Sequence, residues 1–403
     1  MLIPLLIFAV VAAGCAKVAK PRGWAAPELT DNALYVTLDK GKLSAIDAGT
    51  YQTIWTFPAN ETFACGNGES KKWTIDGIYG TPAVDASLVY FASYDGAVWA
   101  VKRSDGTCVW RIETGDAVLA APLLGAAGLY VAATDGYLYL LDPATGDQKN
   151  KFNSGEVWTT PLLTDDALYV PTMAGQLWKL NPKTLDTVWS APFKVDAGLL
   201  TPPTLVSDNT IIVGGIGGLY AVDTTSGQQK WTASGSNWFW GQPAVADATV
   251  YVTDLAGEVK ALDATDGHSV WAADFITQNP IRTGAVLASR DTLVVVDNSG
   301  QVYRIDPTAG TAIGQPVLLN EDVLATPLVV ATGSGGASPT GSATPAAASA
   351  STPPTASISA TPTASPVGTS VTDNTPTVLI VTESGHLFTL DPATGRTTQV
   401  VGS

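Results

Sequence analysis

A repeat of about forty residues is the feature that most constrains how this chain can fold. Its core phrase is clearest at Ala261-Leu262-Asp263, which is followed eight residues after the aspartate by Trp271. Eight such anchor positions stand at residues 47, 102, 142, 181, 223, 263, 306 and 391, so that the steps are 55, 40, 39, 42, 40, 43 and 85 residues. A period near forty residues in a non-helical sequence is typical of the blades of a propeller.

Other positions keep the same register and divide each copy into short strands. Proline stands twenty residues before six of the anchors, and we expect it at the first residue of a strand, where its missing N–H costs least. In the second copy the pattern predicts strands over residues 82–84, 88–92, 97–102 and 108–112. Glycine stands six residues before every anchor, where a hairpin turn with positive φ favours it: Gly41, Gly96, Gly136, Gly175, Gly217, Gly257, Gly300 and Gly385.

Eight units of this kind predict an all-β, eight-bladed β-propeller of four-stranded antiparallel blades over residues 23–403. The chain starts on a first strand (residues 25–29) and ends on a fourth (residues 397–401). No strand is shared between the first and last blades, so we expect the ring to close by packing and through the preceding tether.

The N-terminal residues indicate export and a lipid anchor. Residues 2–13 are uninterruptedly apolar, too short to span a bilayer, and lead through small residues to Cys15. This resembles a bacterial lipobox and predicts a lipoprotein-type signal peptide over residues 1–14, lipid on Cys15 and a tether over residues 15–22. Two departures leave plain secretion or an uncleaved anchor as alternatives: no basic residue precedes the apolar run, and alanine rather than leucine stands three residues before the cysteine.

Export places the folded part outside the cytoplasm, where disulfides persist. Cys65 lies in an insertion at residues 61–76 that lengthens the first step of the repeat, and Cys108 begins the fourth strand of the second unit. We predict a Cys65–Cys108 disulfide that staples the insertion to that blade; the alternative is two unpaired small hydrophobic residues.

The long last step of the repeat comes from residues 331–374, which are rich in serine, threonine, alanine and proline. Such a segment cannot bury enough apolar surface to offset its ordering entropy. We predict a disordered insert between the first and second strands of the eighth blade.

The phrase Ala-x-Asp-x-x-Thr-Gly-x-x-x-Trp resembles the tryptophan-docking repeat of the pyrroloquinoline-quinone-like propeller family. Tyr51 and Leu185 replace the glycine in the first and fourth copies, and the tryptophan is absent from the third, seventh and eighth. The resemblance implies that the remaining tryptophans pack between adjacent blades: Trp55, Trp110, Trp189, Trp231 and Trp271. At repeat level the chain also resembles the lipoprotein propellers of the outer-membrane β-barrel assembly machine, which present loops to a partner.

The family name suggests a quinone cofactor with calcium, and this remains the enzymatic alternative, a quinone-dependent dehydrogenase. The sequence lacks the adjacent cysteine pair of such enzymes and a Cys-x-x-Cys-His haem motif, and its two histidines cannot form a histidine-rich metal site. We therefore predict no cofactor, no metal and no catalytic residues. A net charge of −15 argues against nucleic acid as a partner.

Aromatic residues stand where the chain enters the innermost strand of several units. Three residues before the proline position, the units carry Trp24, Tyr79, Leu119, Trp158, Leu200, Trp240 and Leu324, and Trp238 adds a further aromatic ring. The propeller plan places these residues around one mouth of the central channel, where aromatic side chains can stack on a ligand or anchor a peptide. The alternative is that they pack between neighbouring blades.

Taken together, these features predict a monomeric, non-enzymatic, membrane-tethered propeller outside the cytoplasm that binds another envelope protein or peptide. The family resemblance implies a role in envelope or outer-membrane protein assembly. The alternative within the binding class is a propeller that senses or binds a solute.

Overall fold

The computed structural model describes residues 23–39, 41–331 and 376–402, and these residues form strands, turns and loops. Within them, no helix is long and apolar enough to cross a membrane. The predicted signal peptide, Cys15, the tether up to residue 22 and residues 332–374 of the predicted insert lie outside the described residues.

Eight antiparallel sheets of four strands follow one another along the chain, which confirms the predicted eight-bladed propeller. A two-stranded hairpin lies between the first two blades. The strands up to the fourth blade are β1 (Glu28–Thr30), β2 (Ala33–Asp39), β3 (Lys42–Asp47), β4 (Thr53–Phe57), the hairpin β5 (Thr62–Phe63) and β6 (Lys71–Lys72), β7 (Ala83–Val84), β8 (Leu88–Ala92), β9 (Ala97–Lys102), β10 (Cys108–Glu113), β11 (Leu123–Gly125), β12 (Gly128–Ala132), β13 (Tyr137–Leu141), β14 (Gln148–Asn153), β15 (Leu162–Leu163), β16 (Leu168–Pro171), β17 (Gln176–Leu180) and β18 (Phe193–Lys194).

Blades five to eight repeat the plan, and in each the four strands pair in chain order. Their strands are β19 (Thr204–Ser207), β20 (Thr210–Gly214), β21 (Gly218–Asp223), β22 (Gln229–Ser234), β23 (Ala244–Ala246), β24 (Thr249–Thr253), β25 (Glu258–Asp263), β26 (Phe275–Ile276), β27 (Val286–Ser289), β28 (Thr292–Val296), β29 (Gln301–Ile305), β30 (Val317–Leu318), β31 (Leu328–Val330), β32 (Thr377–Val381), β33 (Leu387–Leu390) and β34 (Thr397–Val401).

The turn glycines take the backbone conformation that the repeat predicts. All eight have positive φ, from 67° at Gly41 to 89° at Gly136. The strand boundaries differ slightly from expectation, because the innermost strand begins one residue after the proline: Pro82 precedes β7, and Pro122 precedes β11. Proline has no N–H to donate, so the ladder starts at the next residue.

The hydrophobic core lies between blades rather than inside them. Tyr35 and Leu43 of blade 1 share a buried cluster with Val89, Phe91 and Trp99 of blade 2. Each sheet therefore has two apolar faces and buries both against its neighbours, which explains why its middle strands are nearly continuous runs of buried residues.

The ring closes by packing between the first and last blades, and within the described residues no strand is shared between them. Leu34 and Ile46 of blade 1 form one buried cluster with Leu379, Val381 and Leu387 of blade 8. Gly385 of blade 8 also approaches the backbone of blade 1 so closely that a Cβ there would collide with the Leu38 carbonyl oxygen. The closing interface thus depends on apolar packing, as the sequence analysis predicted.

Candidate functional site

A cavity of about 800 Å³ lies among the innermost strands and the segments that lead into them. The first strand of each blade pairs with the second and has no partner on its other side, so these edges form the wall of a central channel. Every blade contributes a lining residue, from Trp24 before blade 1 to Leu324 before blade 8. The channel is therefore the place where residues from distant parts of the repeat meet.

Four of the five aromatic residues predicted at the mouth line this cavity: Trp24, Tyr79, Trp158 and Trp240. The rings of Trp24 and Tyr79 meet edge to face with centroids 4.3 Å apart. Trp158 is 36% exposed, and its Nε1 donates a hydrogen bond to Glu156 Oε1 at 2.6 Å. These side chains thus form an aromatic mouth that solvent reaches.

Two mouth predictions need correction. Trp238 is 41% exposed but does not line the cavity, and Leu200 is buried at 2% exposure and does not line it either. Before blade 5 the Leu200 and Thr201 amides both donate to the Gly214 carbonyl, at 2.8 and 3.0 Å. Because glycine has no side chain there, the segment sits close to its own blade, and Pro202 lines the cavity instead.

Arg282 is the mouth residue that the sequence reasoning missed. Its Cζ lies 4.9 Å from the ring centroid of Trp24 and 4.7 Å from that of Trp240. Burial lowers the pKa of Arg282 from its ordinary value, because desolvation disfavours the charged guanidinium. Blade 7 has no proline at the repeat position. Its spacing could have identified it, because Arg282 stands four residues before β27, just as Trp240 stands four residues before β23.

Along β1 and in the turn that follows it, away from Trp24, the charged groups of the channel have partners. Arg103 pairs with Asp31 and donates through Nε to the Tyr35 hydroxyl at 3.0 Å. Glu28 accepts a hydrogen bond from Thr30 Oγ1 at 3.2 Å. Burial raises the pKa of Glu28 to about 7, because the surrounding protein penalises its charged form more than the hydrogen bond favours it.

The residues present do not fit a calcium-bound quinone. Calcium takes six to eight oxygen ligands, whereas in the described part of the chain no three acidic, histidine or cysteine side chains are grouped to hold a metal. Of the carboxylates in the channel, Asp31 pairs with Arg103, and Asp85 accepts from the Ser87 and Leu88 amides and the Tyr90 hydroxyl, each at 2.7 Å. The mouth is instead suited to stacking and to pairing with charge.

Outside the channel, a disulfide joins Cys65 to Cys108, with Cα atoms 4.7 Å apart and a sequence separation of 43. It attaches the loop after β5 to the start of β10. Beside it, Trp73 lies under Lys71 Nζ at 3.8 Å and under Arg111 Cζ at 4.6 Å. The insertion is therefore joined to blade 2 by a covalent bond and by the cation–π contact of Arg111, which lies on β10.

The five docking tryptophans all make the same contact across a blade interface. Each indole Nε1 donates to the carbonyl that follows the anchor of the next blade, from Trp55 to Arg103 at 2.9 Å through Trp271 to Pro307 at 2.8 Å. The other three pairs are Trp110 with Pro143, Trp189 with Thr224 and Trp231 with Ala264, at 2.8 to 3.0 Å.

These contacts, the eight blades and the aromatic mouth define a tryptophan-docking β-propeller with a central channel. The chain belongs to the family described as outer membrane protein assembly factor BamB, whose pattern matches residues 128–193 and 186–400. It is 24% identical over 334 residues to the outer membrane protein assembly factor BamB of Burkholderia pseudomallei, covering 77% of this chain and 82% of the relative. The corresponding factor of Moranella endobia is 21% identical over 317 residues, covering 75% and 79%.

Solved structures support the same fold. BamB from Moraxella catarrhalis superposes with a TM-score of 0.64 at 14% identity, covering 90% of this chain and 92% of that one. The quinohemoprotein alcohol dehydrogenase of Comamonas testosteroni superposes with a TM-score of 0.57 at 13% identity, covering 77% and 69%. At these identities the likeness concerns the fold alone, and it spans an assembly factor and an enzyme.

Proposed function

We propose that this protein is a non-enzymatic scaffold of the cell envelope that binds another protein through the aromatic mouth of its channel and serves outer-membrane protein assembly. The observation that carries the proposal is the set of Trp24, Tyr79, Trp158 and Trp240 around a solvent-accessible cavity. Exposed aromatic residues grouped at a concave site are typical anchors of protein interfaces. The relatives named as outer membrane protein assembly factors supply the biological setting.

The setting also agrees with a lipid anchor on Cys15, which we propose holds the protein at a membrane outside the cytoplasm. Gly23 pairs with Ile78, and the Ala25 amide donates to the Ile78 carbonyl at 3.2 Å, so the chain leaves the propeller beside the mouth. Nine residue steps between Cys15 and Trp24 reach at most about 30 Å when fully extended. The mouth would therefore stay within that distance of the lipid.

Capture of the partner from native membranes tests the proposal. A photo-crosslinking amino acid at position 158 should trap a membrane-associated protein, whereas the same probe at Ile54, an exposed residue on the outer strand β4, should not. The double variant Trp158→Ala, Trp240→Ala should lose capture while keeping the thermal midpoint. Capture that is unchanged would show that the partner binds elsewhere, and a loss of folding together with capture would assign these rings to packing between blades.

A further inference from the structure

The guanidinium of Arg282 is held at the mouth without an anionic partner. Its position is fixed from behind, because the Arg282 amide donates to Asn298 Oδ1 at 3.1 Å. The side chain contacts the faces of Trp24 and Trp240, and its Nε is buried without a hydrogen-bond partner among the described residues. In the described part of the chain no carboxylate forms an ion pair with it.

The other partly buried arginines each have a carboxylate or carbonyl partner in the protein, although Arg111 Nε, like Arg282 Nε, is buried without a hydrogen-bond partner among the described residues. Arg103 pairs with Asp31, Arg111 pairs with Glu113 at 2.6 Å, and Arg304 donates to the Ala393 carbonyl at 2.9 Å. Arginine stays charged at physiological pH, and a desolvated cation without an acceptor is costly. Arg282 is thus arranged for an acceptor that comes from outside the chain.

Cation–π contacts use the faces of the guanidinium, whereas its five N–H bonds lie in the plane. Because Nε is buried, the edge that carries Nη1 and Nη2 is the one that can give two parallel hydrogen bonds to the oxygens of one anion. We propose that Arg282 binds the carboxylate of a ligand whose apolar or aromatic group stacks on the walls of the mouth.

A carboxylate suits the mouth better than a phosphate because the site supplies one free positive charge. Arg103 is the other cation that lines the cavity, and it already pairs with Asp31. A monoanion is neutralised by Arg282, whereas a dianion would carry an unpaired charge into surroundings made of Trp24, Tyr79 and Leu119. Tyr79 is in edge contact with Trp24, and its phenol can add a hydrogen bond to the same anion.

Two sources can supply this carboxylate, a free organic acid and the C-terminus of a peptide. The second source rests on the proposed function, because it requires a protein partner at the same mouth. In both cases the recognition chemistry is the same: one carboxylate on Arg282 and one flat apolar group on the indoles. The size of the cavity, about 800 Å³, accommodates either.

Matched ligands test the inference on the full chain. By titration calorimetry, N-acetylphenylalanine should bind at least about tenfold more tightly than its amide, since a charge-assisted pair is lost with the carboxylate. The same comparison is made for a hexapeptide that ends in phenylalanine, as free acid and as amide. Tighter binding of the peptide acid than of N-acetylphenylalanine assigns the site to a chain terminus. Equal binding of the two acids assigns it to small acids.

Two arginine variants test which side chain binds the carboxylate. Arg282→Met should abolish the preference for the acid, whereas Arg290→Met, an exposed arginine in the turn after β27 of the same blade, should keep it. Equal binding of acid and amide by the unmodified protein would overturn the inference without needing any variant to fold. If the partner is still captured through position 158 in that case, the proposed function stands and only the carboxylate assignment fails.

Discussion

Trp271 and Gly310 meet across the interface of blades 6 and 7 so tightly that a Cβ on the glycine would lie 2.5 Å from Cδ2 of the indole. The same contact recurs wherever a docking tryptophan is present: Trp55 with Gly106, Trp110 with Gly146, Trp189 with Gly227 and Trp231 with Gly267. The tryptophan of one blade and the glycine of the next are therefore one structural unit.

Replacing the glycine tests this unit. Gly310 has φ of 68°, so Gly310→Ala should cost both backbone strain and a collision with Trp271, about 2–4 kcal/mol of unfolding free energy. Gly217 is the matched control, because its φ is 78° but nothing lies within 4 Å of an added Cβ. Gly217→Ala should cost only the strain, about 1–2 kcal/mol. Equal losses in urea unfolding would contradict a role for the docking contact.

Where the tryptophan is missing, the glycine of the next blade is usually missing too. Blade 3 carries Asn150 at the tryptophan position, and blade 4 carries Leu185 at the glycine position with φ of 61°. Blade 8 carries Gln399, and blade 1 carries Tyr51 with φ of 56°. The missing glycine of the first copy and the missing tryptophan of the last copy therefore belong to a single contact, at the interface that closes the ring.

A double-mutant cycle at blades 3 and 4 should reveal this dependence. Asn150 donates through Nδ2 to the Thr184 carbonyl at 2.8 Å, and Leu185 is buried in the shared cluster. Asn150→Trp should destabilise by overpacking against Leu185, and Leu185→Gly should leave a cavity. Combined, they restore the docking pair, so their loss should fall short of the sum by about 1–3 kcal/mol. Strict additivity in denaturant unfolding would refute the coupling.

Blade 7 shows a different solution. It lacks the tryptophan, but Gly395 of blade 8 is kept, and the Arg304 guanidinium occupies the space against it. Arg304 donates through Nη1 to the Pro392 carbonyl at 3.2 Å, the position that accepts from an indole elsewhere in the ring. A planar cation can therefore replace the planar indole at this contact.

These cases show which features of the structure could be predicted from the sequence and which could not. The glycine, proline and tryptophan registers predicted the blade number and most strand positions, because those residues are dictated by local turn geometry and by the interface that every blade repeats. The paired loss of tryptophan and glycine can also be read from the sequence, at blades 3 and 4 and at blades 8 and 1. The position of Leu200 could not be predicted, since it depends on how closely the backbone approaches Gly214. Arg282 could not be found from the aromatic pattern because it is not aromatic.

Glu28, a carboxylate in the channel, should make the stability of the fold depend on pH in an unusual direction. The pKa of Glu28 is raised to about 7 in the folded state from an ordinary value of 4.5, so the unfolded chain loses this proton first. Below pH 4.5 the group is protonated in both states and has no effect, whereas between pH 4.5 and 7 rising pH should destabilise the fold, by about 1–3 kcal/mol at neutral pH.

Glu28→Gln removes this effect and leaves the other titrating groups in place. In urea unfolding, the variant should match the unmodified protein at pH 4 and exceed it at pH 8. A variant that is less stable at pH 8 would mean that Glu28 is ionised and favourably paired in the channel.

The disulfide should contribute mainly through the unfolded chain. Cys65 and Cys108 close a loop with a sequence separation of 43, so the double variant Cys65→Ser, Cys108→Ser should lose about 2–4 kcal/mol of unfolding free energy. Hydrogen exchange should locate the effect, with faster exchange in β5 and β6 and unchanged exchange in blade 6. Faster exchange across all eight blades at equal rates would show that the bond stabilises the ring as a whole rather than the insertion.

Lipidation at Cys15 would orient the propeller, because the short tether begins at the mouth. Arg282 precedes β27 and Arg290 follows it, so probes near these two ends report on opposite faces. With the anchored protein on vesicles that contain an acceptor lipid, a donor fluorophore at the exposed mouth-side position 238 should transfer energy more efficiently than one at position 290. A Gly/Ser segment of twenty residues added after Cys15 has a mean span of about 25 Å of its own and should abolish the difference. Cys15→Ala should abolish transfer at both positions. Equal transfer with the native tether would show that the mouth does not face the lipid, since a reach of about 30 Å leaves the ring little freedom to turn over.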